Sequence, residues 1–406
     1  MNKSLEKVSR ILIISAVFPP EPVISALLSR DIADALSVKH DVTVLCPHPS
    51  RPEGFIFMEN AIKANYKVER LNSFTCPSSI LFGRLRESFD FGKHCVDFIQ
   101  KNSSSIDCIY INSWPLFSQY RIIKAARKCG VPSILHIQDI YPESLTKKLP
   151  AIIGRLVFQL LLPIDKFILK NASIIVGISS YMISYLSKTR KVEKEKFRII
   201  RNWQNDQQFI KYSSKLSNSK NDFVFMYAGS ISASAGVPAL IHGFAKANLP
   251  NAKLVIAGDG ADKINCINMA NDLQNDKIIF SEVGPDNIAE LQSEADILLL
   301  PLRKGIAKTA TPSKLTAYLL SSKPVIATVE EDTDVSDILT KANCGFVVEP
   351  EDSDALADIL RKSYSISETE LVRMGANGKE YARMYLSKHA NLNKLVSIIE
   401  NTANAN

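Results

Sequence analysis

The chain has 406 residues, 46% of them apolar and 22% charged, which supplies ample core and excludes global disorder. Seven cysteines, an odd number without paired short spacing, exclude a disulfide framework and fit a reducing compartment. The net charge of +7 divides unevenly: residues 1–200 hold 28 Lys and Arg against 17 Asp and Glu, while residues 201–406 hold 21 against 25. A basic first half calls for an anionic substrate, a membrane surface or nucleic acid.

In chain order, Lys3, Lys7 and Arg10 precede apolar Ile11–Phe18, but that run stops at Pro19-Pro20 with no small-residue cleavage pattern. It reads as a first buried strand rather than a secretory leader. Further strands are expected at Asp41–Leu45, Cys108–Asn112, Ser133–Ile137 and Ser173–Ile178, with helices at Ile24–Leu36 and Gln119–Cys129. Short apolar runs without polar alternation suit parallel strands buried on both faces. Ser73–Phe91 has no assignable pattern. Pro150–Leu169 is the longest apolar region, but Arg155, Pro163, Asp165 and Lys166 interrupt it, so it does not span a membrane. It is either a core helix or a cation-flanked helix at a bilayer interface.

Lys188–Lys196 holds seven charges in nine positions and breaks the pattern before the strand-like Phe197–Ile200. Polar Gln204–Asp222 reads as a linker. The alternation then restarts, with strands expected at Phe223–Ala228, Ala252–Ala257, Lys277–Phe280, Ile297–Leu300, Pro324–Ala327 and Gly345–Val348. Helices fit at Pro238–Lys246, Asn287–Glu294, Ser313–Leu320 and Asp354–Leu360. The fold class is α/β, with two doubly wound domains.

In such folds ligands bind at the carboxyl ends of strands. Ala228–Gly236 joins a strand to a helix through glycine and small hydroxyl residues, which suits close approach to a phosphate or an ordinary turn. Thr311-Pro312-Ser313-Lys314 opens a helix, with Thr311 as N-cap and Pro312 in the first turn. The free N–H groups, the Ser313 hydroxyl and the Lys314 ammonium make an anion site or a well-capped solvated helix, and Arg303 and Lys308 add charge nearby. Ala257-Gly258-Asp259-Gly260 is a turn that can close on a base. His136, Asp139 and Glu143 lie within eight residues at a strand end and could position and deprotonate a hydroxyl; the competing readings are a core histidine and capping carboxylates.

Together these segments resemble family-4 glycosyltransferases. Phe18-Pro19-Pro20-Glu21, Asp139–Ser144, Arg201-Asn202-Trp203, the Gly229 loop, Ala257–Gly260, Pro312-Ser313-Lys314 and Lys323–Ala327 follow the family's order over most of residues 10–360. The similarity is greatest to the branch that assembles bacterial O-antigen and capsular polysaccharides. The resemblance implies the GT-B fold: two Rossmann-like domains facing across a cleft. Residues 1–200 would bind the acceptor, 201–380 the nucleotide-sugar, and 381–406 would form a helix returning to the first domain. It implies a retaining transfer of a sugar from a UDP- or GDP-sugar to a lipid-diphosphate-linked saccharide, with no metal or other cofactor. Gly229, Ser230, Arg201, Asn202, Gly258, Lys308, Thr311, Ser313 and Lys314 would hold the donor; Asp139, His136 and Glu143 would serve the acceptor.

Several positions depart from the family pattern. Thr309 and Ala317 stand where many members have glutamates, Ala233 and Ala235 where a base commonly follows the phosphate loop, and Val23-Ile24 where a glycine pair is usual. His136 is two positions from the family's histidine. The alternative is therefore a degenerate GT-B protein that binds nucleotide-sugar as a non-catalytic subunit. The basic excess, including Arg84, Arg86, Lys147, Lys148, Arg155 and Lys166, suits an anionic membrane surface on the cytoplasmic side or the anionic acceptor. Nucleic acid is not supported, since no arginine–aromatic stripe or binding motif occurs.

Overall fold

The computed structural model describes residues 7–57, 64–78, 80–112, 116–147, 149–203, 206–210, 222–284, 287–307 and 312–405. The chain forms two compact units, one of Met1–Ile200 with Leu392–Asn406 and one of Arg201–Asn391. The return to the first unit thus falls after Asn391, within a helix at Lys388–Asn404, rather than after residue 380.

The first unit holds seven strands: β1 Arg10–Ser15, β2 Asp41–Pro47, β3 Lys67–Leu71, β4 Cys108–Asn112, β5 Ser133–Ile137, β6 Ile174–Gly177 and β7 Phe197–Ile199. Their order is β3-β2-β1-β4-β5-β6-β7, and every pairing is parallel. β4 and β5 are buried along their whole length, as apolar runs covered on both faces should be. Edge strand β3, with the sequence KVERL, is only partly covered and carries no apolar run. Ser73–Phe91, without readable period, contains the start of a helix at Leu81–Asn102. The terminal helix buries Leu395, Ile399 and Ala403 at four-residue spacing. Glu400 Oε1 lies 3.1 Å from His40 Nε2, and Asn404 Oδ1 accepts from the Ser9 hydroxyl at 3.2 Å.

The second unit repeats the plan with β8 Phe223–Ala228, β9 Ala252–Ala257, β10 Ile278–Ser281, β11 Ile297–Pro301, β12 Val325–Thr328 and β13 Gly345–Val348. The order is β10-β9-β8-β11-β12-β13, again all parallel. Alternation along β8 sends Val224, Met226 and Ala228 into one core and Phe225 and Tyr227 into the other. In each sheet the winding reverses once, between β1 and β4 and between β8 and β11. Loops after these strands diverge to opposite faces and leave a crevice, so each unit has one natural binding position.

The helix Ala151–Asn171 is neither a buried core helix nor a membrane span. Ile152 (77% exposed), Leu156 and Leu160 face solvent, and only Gly154 is buried in the first ten residues. Among the described residues no helix is long and apolar enough to cross a membrane.

Candidate functional site

In the second unit, Gly229 follows β8 and Gly258 follows β9, each with φ near +150°. The two turns touch: Gly229 N–H donates to the Ala257 carbonyl at 2.8 Å, and Ile231 N–H to that of Asp259 at 2.8 Å. A Cβ on Gly258 would fall onto the Gly229 carbonyl oxygen, and one on Gly229 onto the Lys314 side chain, so this close approach requires glycine. Lys314 thus lies directly over the Gly229 turn. Its Nζ donates to the Tyr227 hydroxyl at 2.5 Å and sits 4.5 Å from that ring's centroid. Tyr227 in turn donates to the Ser230 carbonyl. Burial pushes the Lys314 ammonium down to about 8 and the Tyr227 phenol up.

The helix Ser313–Leu320 opens with Pro312 in the cap position, one residue later than the sequence suggests, and no side chain caps it. Its first N–H groups, the exposed Ser313 and Lys314 therefore gather at one helix end beside the Gly229 turn. Ser230 is also exposed there. Lys308 and Thr311 lie outside the described residues, as does Thr309. Arg201 is already engaged: its guanidinium donates to Asp334 at 3.2 Å, and its backbone N–H to Asn391 Oδ1 at 3.0 Å. Asn202 follows it and is partly covered. Sequence reading missed Glu330, which is 7% exposed just past β12 and accepts from the Gly305 N–H at 2.5 Å, tying down the loop after β11. A carboxylate directly after an apolar strand was the available signal.

In the first unit, a cavity of about 340 Å³ occupies the crevice between β1 and β4, lined among others by Ser15, Val17, Asn112, Asp139, Tyr141 and Asp165. Exposed Asp139 contributes a carboxylate to this wall. His136 does not: it is 1% exposed, with Nδ1 2.6 Å from the Tyr110 hydroxyl and Nε2 3.1 Å from Gln138 Nε2. Burial pushes its pKa down to about 4, so the ring is a neutral strut beneath the Asp139 segment. Glu143 is engaged as well. Arg190 donates to both of its oxygens at 2.7 Å, and the Tyr185 hydroxyl donates at 2.8 Å. The same guanidinium, fully buried, also holds Asp165 at 2.7 Å and the Tyr141 carbonyl at 2.6 Å. Arg190 sits inside the charge run that breaks the pattern, yet it is buried. Its pairing makes Glu143 a positioning group for the 139–143 segment rather than a group facing substrate.

Comparison with known proteins gives two domain matches: residues 208–381 match the model "Glycosyl transferases group 1" and residues 28–203 the model "Glycosyl transferase 4-like domain". The probable glycosyltransferase WbjE of Pseudomonas aeruginosa is 22% identical over 281 residues, 66% of this chain and 68% of that one. Among solved structures, sucrose-phosphate synthase from Thermosynechococcus elongatus superposes with a TM-score of 0.70 at 17% identity, covering 98% of this chain and 100% of that one. Anabaena HepE in complex with UDP does so at 0.67 and 15% identity, covering 97% and 100%.

Proposed function

We propose that the chain, whose two Rossmann-like units are matched by the two glycosyltransferase domain models, is a glycosyltransferase that passes a sugar from a UDP- or GDP-sugar to a hydroxyl of a lipid-diphosphate-linked saccharide. The observation that carries the donor half is Lys314, held over the Gly229 turn at the open end of a helix. Its ammonium, the helix N–H groups and the Ser313 and Ser230 hydroxyls supply the charge and hydrogen bonds that a leaving diphosphate needs. A pre-oriented donor of this kind contributes about 2.7–4 kcal/mol to a transition state. The transfer is metal-independent in this reading, because these protein groups take the developing charge. Retention of configuration follows if the leaving phosphate, on the same face of the sugar, accepts the acceptor's proton. Asp139 then orients the hydroxyl, with His136 and Glu143 fixing the segment that carries it. HepE was crystallised with UDP, which favours a uridine nucleotide.

Two features support a lipid-linked acceptor and contact with a membrane. The sequence resembles the O-antigen and capsular branch, and the helix Ala151–Asn171 exposes Ile152, Ile153, Leu156 and Leu160. From Ser144 to Asn171 the sole acid is Asp165, which is buried against Arg190, so the described exposed charges there are cationic. That combination suits peripheral binding to the anionic inner face of a bacterial membrane.

Thermal-shift and transfer assays over a panel of UDP- and GDP-sugars, each repeated with EDTA, test the reading. One donor should stabilise the protein according to RT ln(1 + [L]/Kd), with or without EDTA. Asp139→Asn should keep that shift and lose transfer. Donor binding by the unaltered chain with neither transfer nor hydrolysis would identify the non-catalytic subunit instead.

A further inference from the structure

The helix Ala151–Asn171 is anchored by its second half, where Asp165, Ile168 and Leu169 are buried and the Phe167 ring meets Tyr120 at 4.9 Å between centroids. Its first half packs at Gly154 on the end of the short helix Glu143–Thr146. A Cβ there would lie 2.9 Å from the Thr146 carbonyl oxygen, so the two helices approach closely. Between them runs an open groove of about 300 Å³, with Thr146 and Lys147 on one side and Gly154, Arg155, Phe158 and Gln159 on the other. No acid lines it. Lys147 and Arg155 are exposed, and among the described residues the side chain of neither has a hydrogen-bonding, ionic or ring partner. Two cations on one groove without a carboxylate repel each other and are stabilised by an anion that both reach. A guanidinium fork fits two phosphate oxygens, and an ammonium adds a point charge.

What adjoins the groove narrows the source of that anion. At 3.6 residues per turn, Ile152, Leu156 and Leu160 form the stripe next to Arg155 and Gln159. All three are exposed, so the cationic rim passes directly into an apolar stripe. A helix lying in a bilayer interface with that stripe in the acyl boundary holds its rim at the level of the lipid phosphates. A free phosphate makes no use of the stripe. We propose that the groove seats the headgroup phosphate of an anionic phospholipid, with Arg155 and Lys147 on its oxygens and the stripe entering the acyl layer beside it. The proposal rests on the membrane contact argued above and deepens it: one lipid is held at a built site, in place of diffuse attraction between charged surfaces.

Co-sedimentation of the full chain with vesicles of phosphatidylcholine, alone or mixed with phosphatidylglycerol, provides the test. Binding to the mixed vesicles should be the stronger, and Leu156→Ser should weaken it. Arg155→Lys separates a seat from diffuse attraction. It keeps the charge, so diffuse attraction predicts no change, whereas loss of the forked contact should weaken binding about five-fold. Lys147→Gln and Arg155→Gln act on one phosphate, so the double variant should lose clearly less than the product of the two single losses. These exposed positions should leave the unfolding midpoint of the chain unchanged, which checks that each variant is folded. Unchanged binding by Arg155→Lys, or multiplicative losses in the double variant, overturns the seat and leaves diffuse membrane contact standing. Binding to neither vesicle overturns the seat and the membrane contact together. A rise in unfolding midpoint with inorganic phosphate, in a chain that binds neither vesicle, would mark a free-phosphate site and overturn the lipid assignment.

Discussion

The two units share a strand order, yet their crevices are furnished in opposite ways. At the end of β5 and just past it in the first unit, His136 and Glu143 are saturated by protein partners, and the cation that holds Glu143 is fully buried. Past β8 in the second unit, the cation is partly exposed, its pKa is depressed, and glycines leave backbone open around it. The first arrangement spends its ionic groups on rigidity and leaves recognition to Asp139 and neutral polar groups. The second keeps charge in reserve for an anion. A titratable residue near a strand end is therefore not by itself a site; what distinguishes the two cases is whether the protein has already matched it.

The largest effect is expected where this matching is most complete. Arg190→Met leaves Glu143 and Asp165 as uncompensated, largely buried carboxylates, and breaking such a pair costs about 3–5 kcal/mol. Urea denaturation should show that loss, and adding Glu143→Gln and Asp165→Asn should restore part of it. A loss below about 1 kcal/mol, typical of surface ion pairs, would reduce the buried cluster to an incidental contact.

Backbone crowding in the second unit gives the next test. Gly258→Ala drives a Cβ into the Gly229 carbonyl and should destabilise by more than about 1 kcal/mol, since neither backbone can yield cheaply. Gly229→Ala meets the flexible end of Lys314 instead, so it should cost less stability while displacing the lysine and weakening UDP binding. Equal stability losses with unchanged UDP binding in both would show that the lysine's position over the turn is immaterial.

His136 distinguishes a strut from a proton carrier. Its folded pKa, about 4, lies below the ordinary value of about 6.5, so between these pH values the unfolded chain binds the extra proton. Stability must fall as pH drops through that window. From pH 7.5 to 5 this group alone removes about 2 kcal/mol. His136→Gln should flatten that part of the stability–pH curve, and an unchanged slope would place the titration elsewhere.

Much of this was legible from sequence where an apolar run marks the whole strand. β4, β5, β8, β9 and β13 coincide with their apolar runs to the residue, as does the helix Ser313–Leu320. The misses are elements whose pattern is set by tertiary surroundings. β3 is an edge strand with two lysine- or arginine-type residues in five, and the helix Leu81–Asn102 exposes Phe82 and Phe89, which blurs its period. Arg190 was hidden because a buried cation looks like a solvated one until its partners, 25 and 47 residues away, are brought to it.

The smallest expected effect concerns Lys314. Burial holds its ammonium near 8 rather than about 10.5, so the charged form predominates at pH 7 and is largely lost by pH 9.5. A diphosphate favours the charged form and draws the pKa back up on binding. UDP affinity should therefore fall as pH rises through 8, with proton uptake on binding in buffers near that pH. Lys314→Ala removes one charge-assisted hydrogen bond and should weaken UDP about ten-fold at pH 7, about 1.4 kcal/mol and just under the ~1.5–3 kcal/mol such bonds carry. The variant's affinity should then be nearly flat between pH 7 and 9.5, where the unaltered protein's declines. Calorimetry in two buffers of different ionisation enthalpy reads both the affinity and the proton uptake. If the unaltered protein binds UDP equally at both pH values and takes up no proton, the reserve charge of the second crevice does not face the diphosphate, and the contrast between the two units loses its functional half.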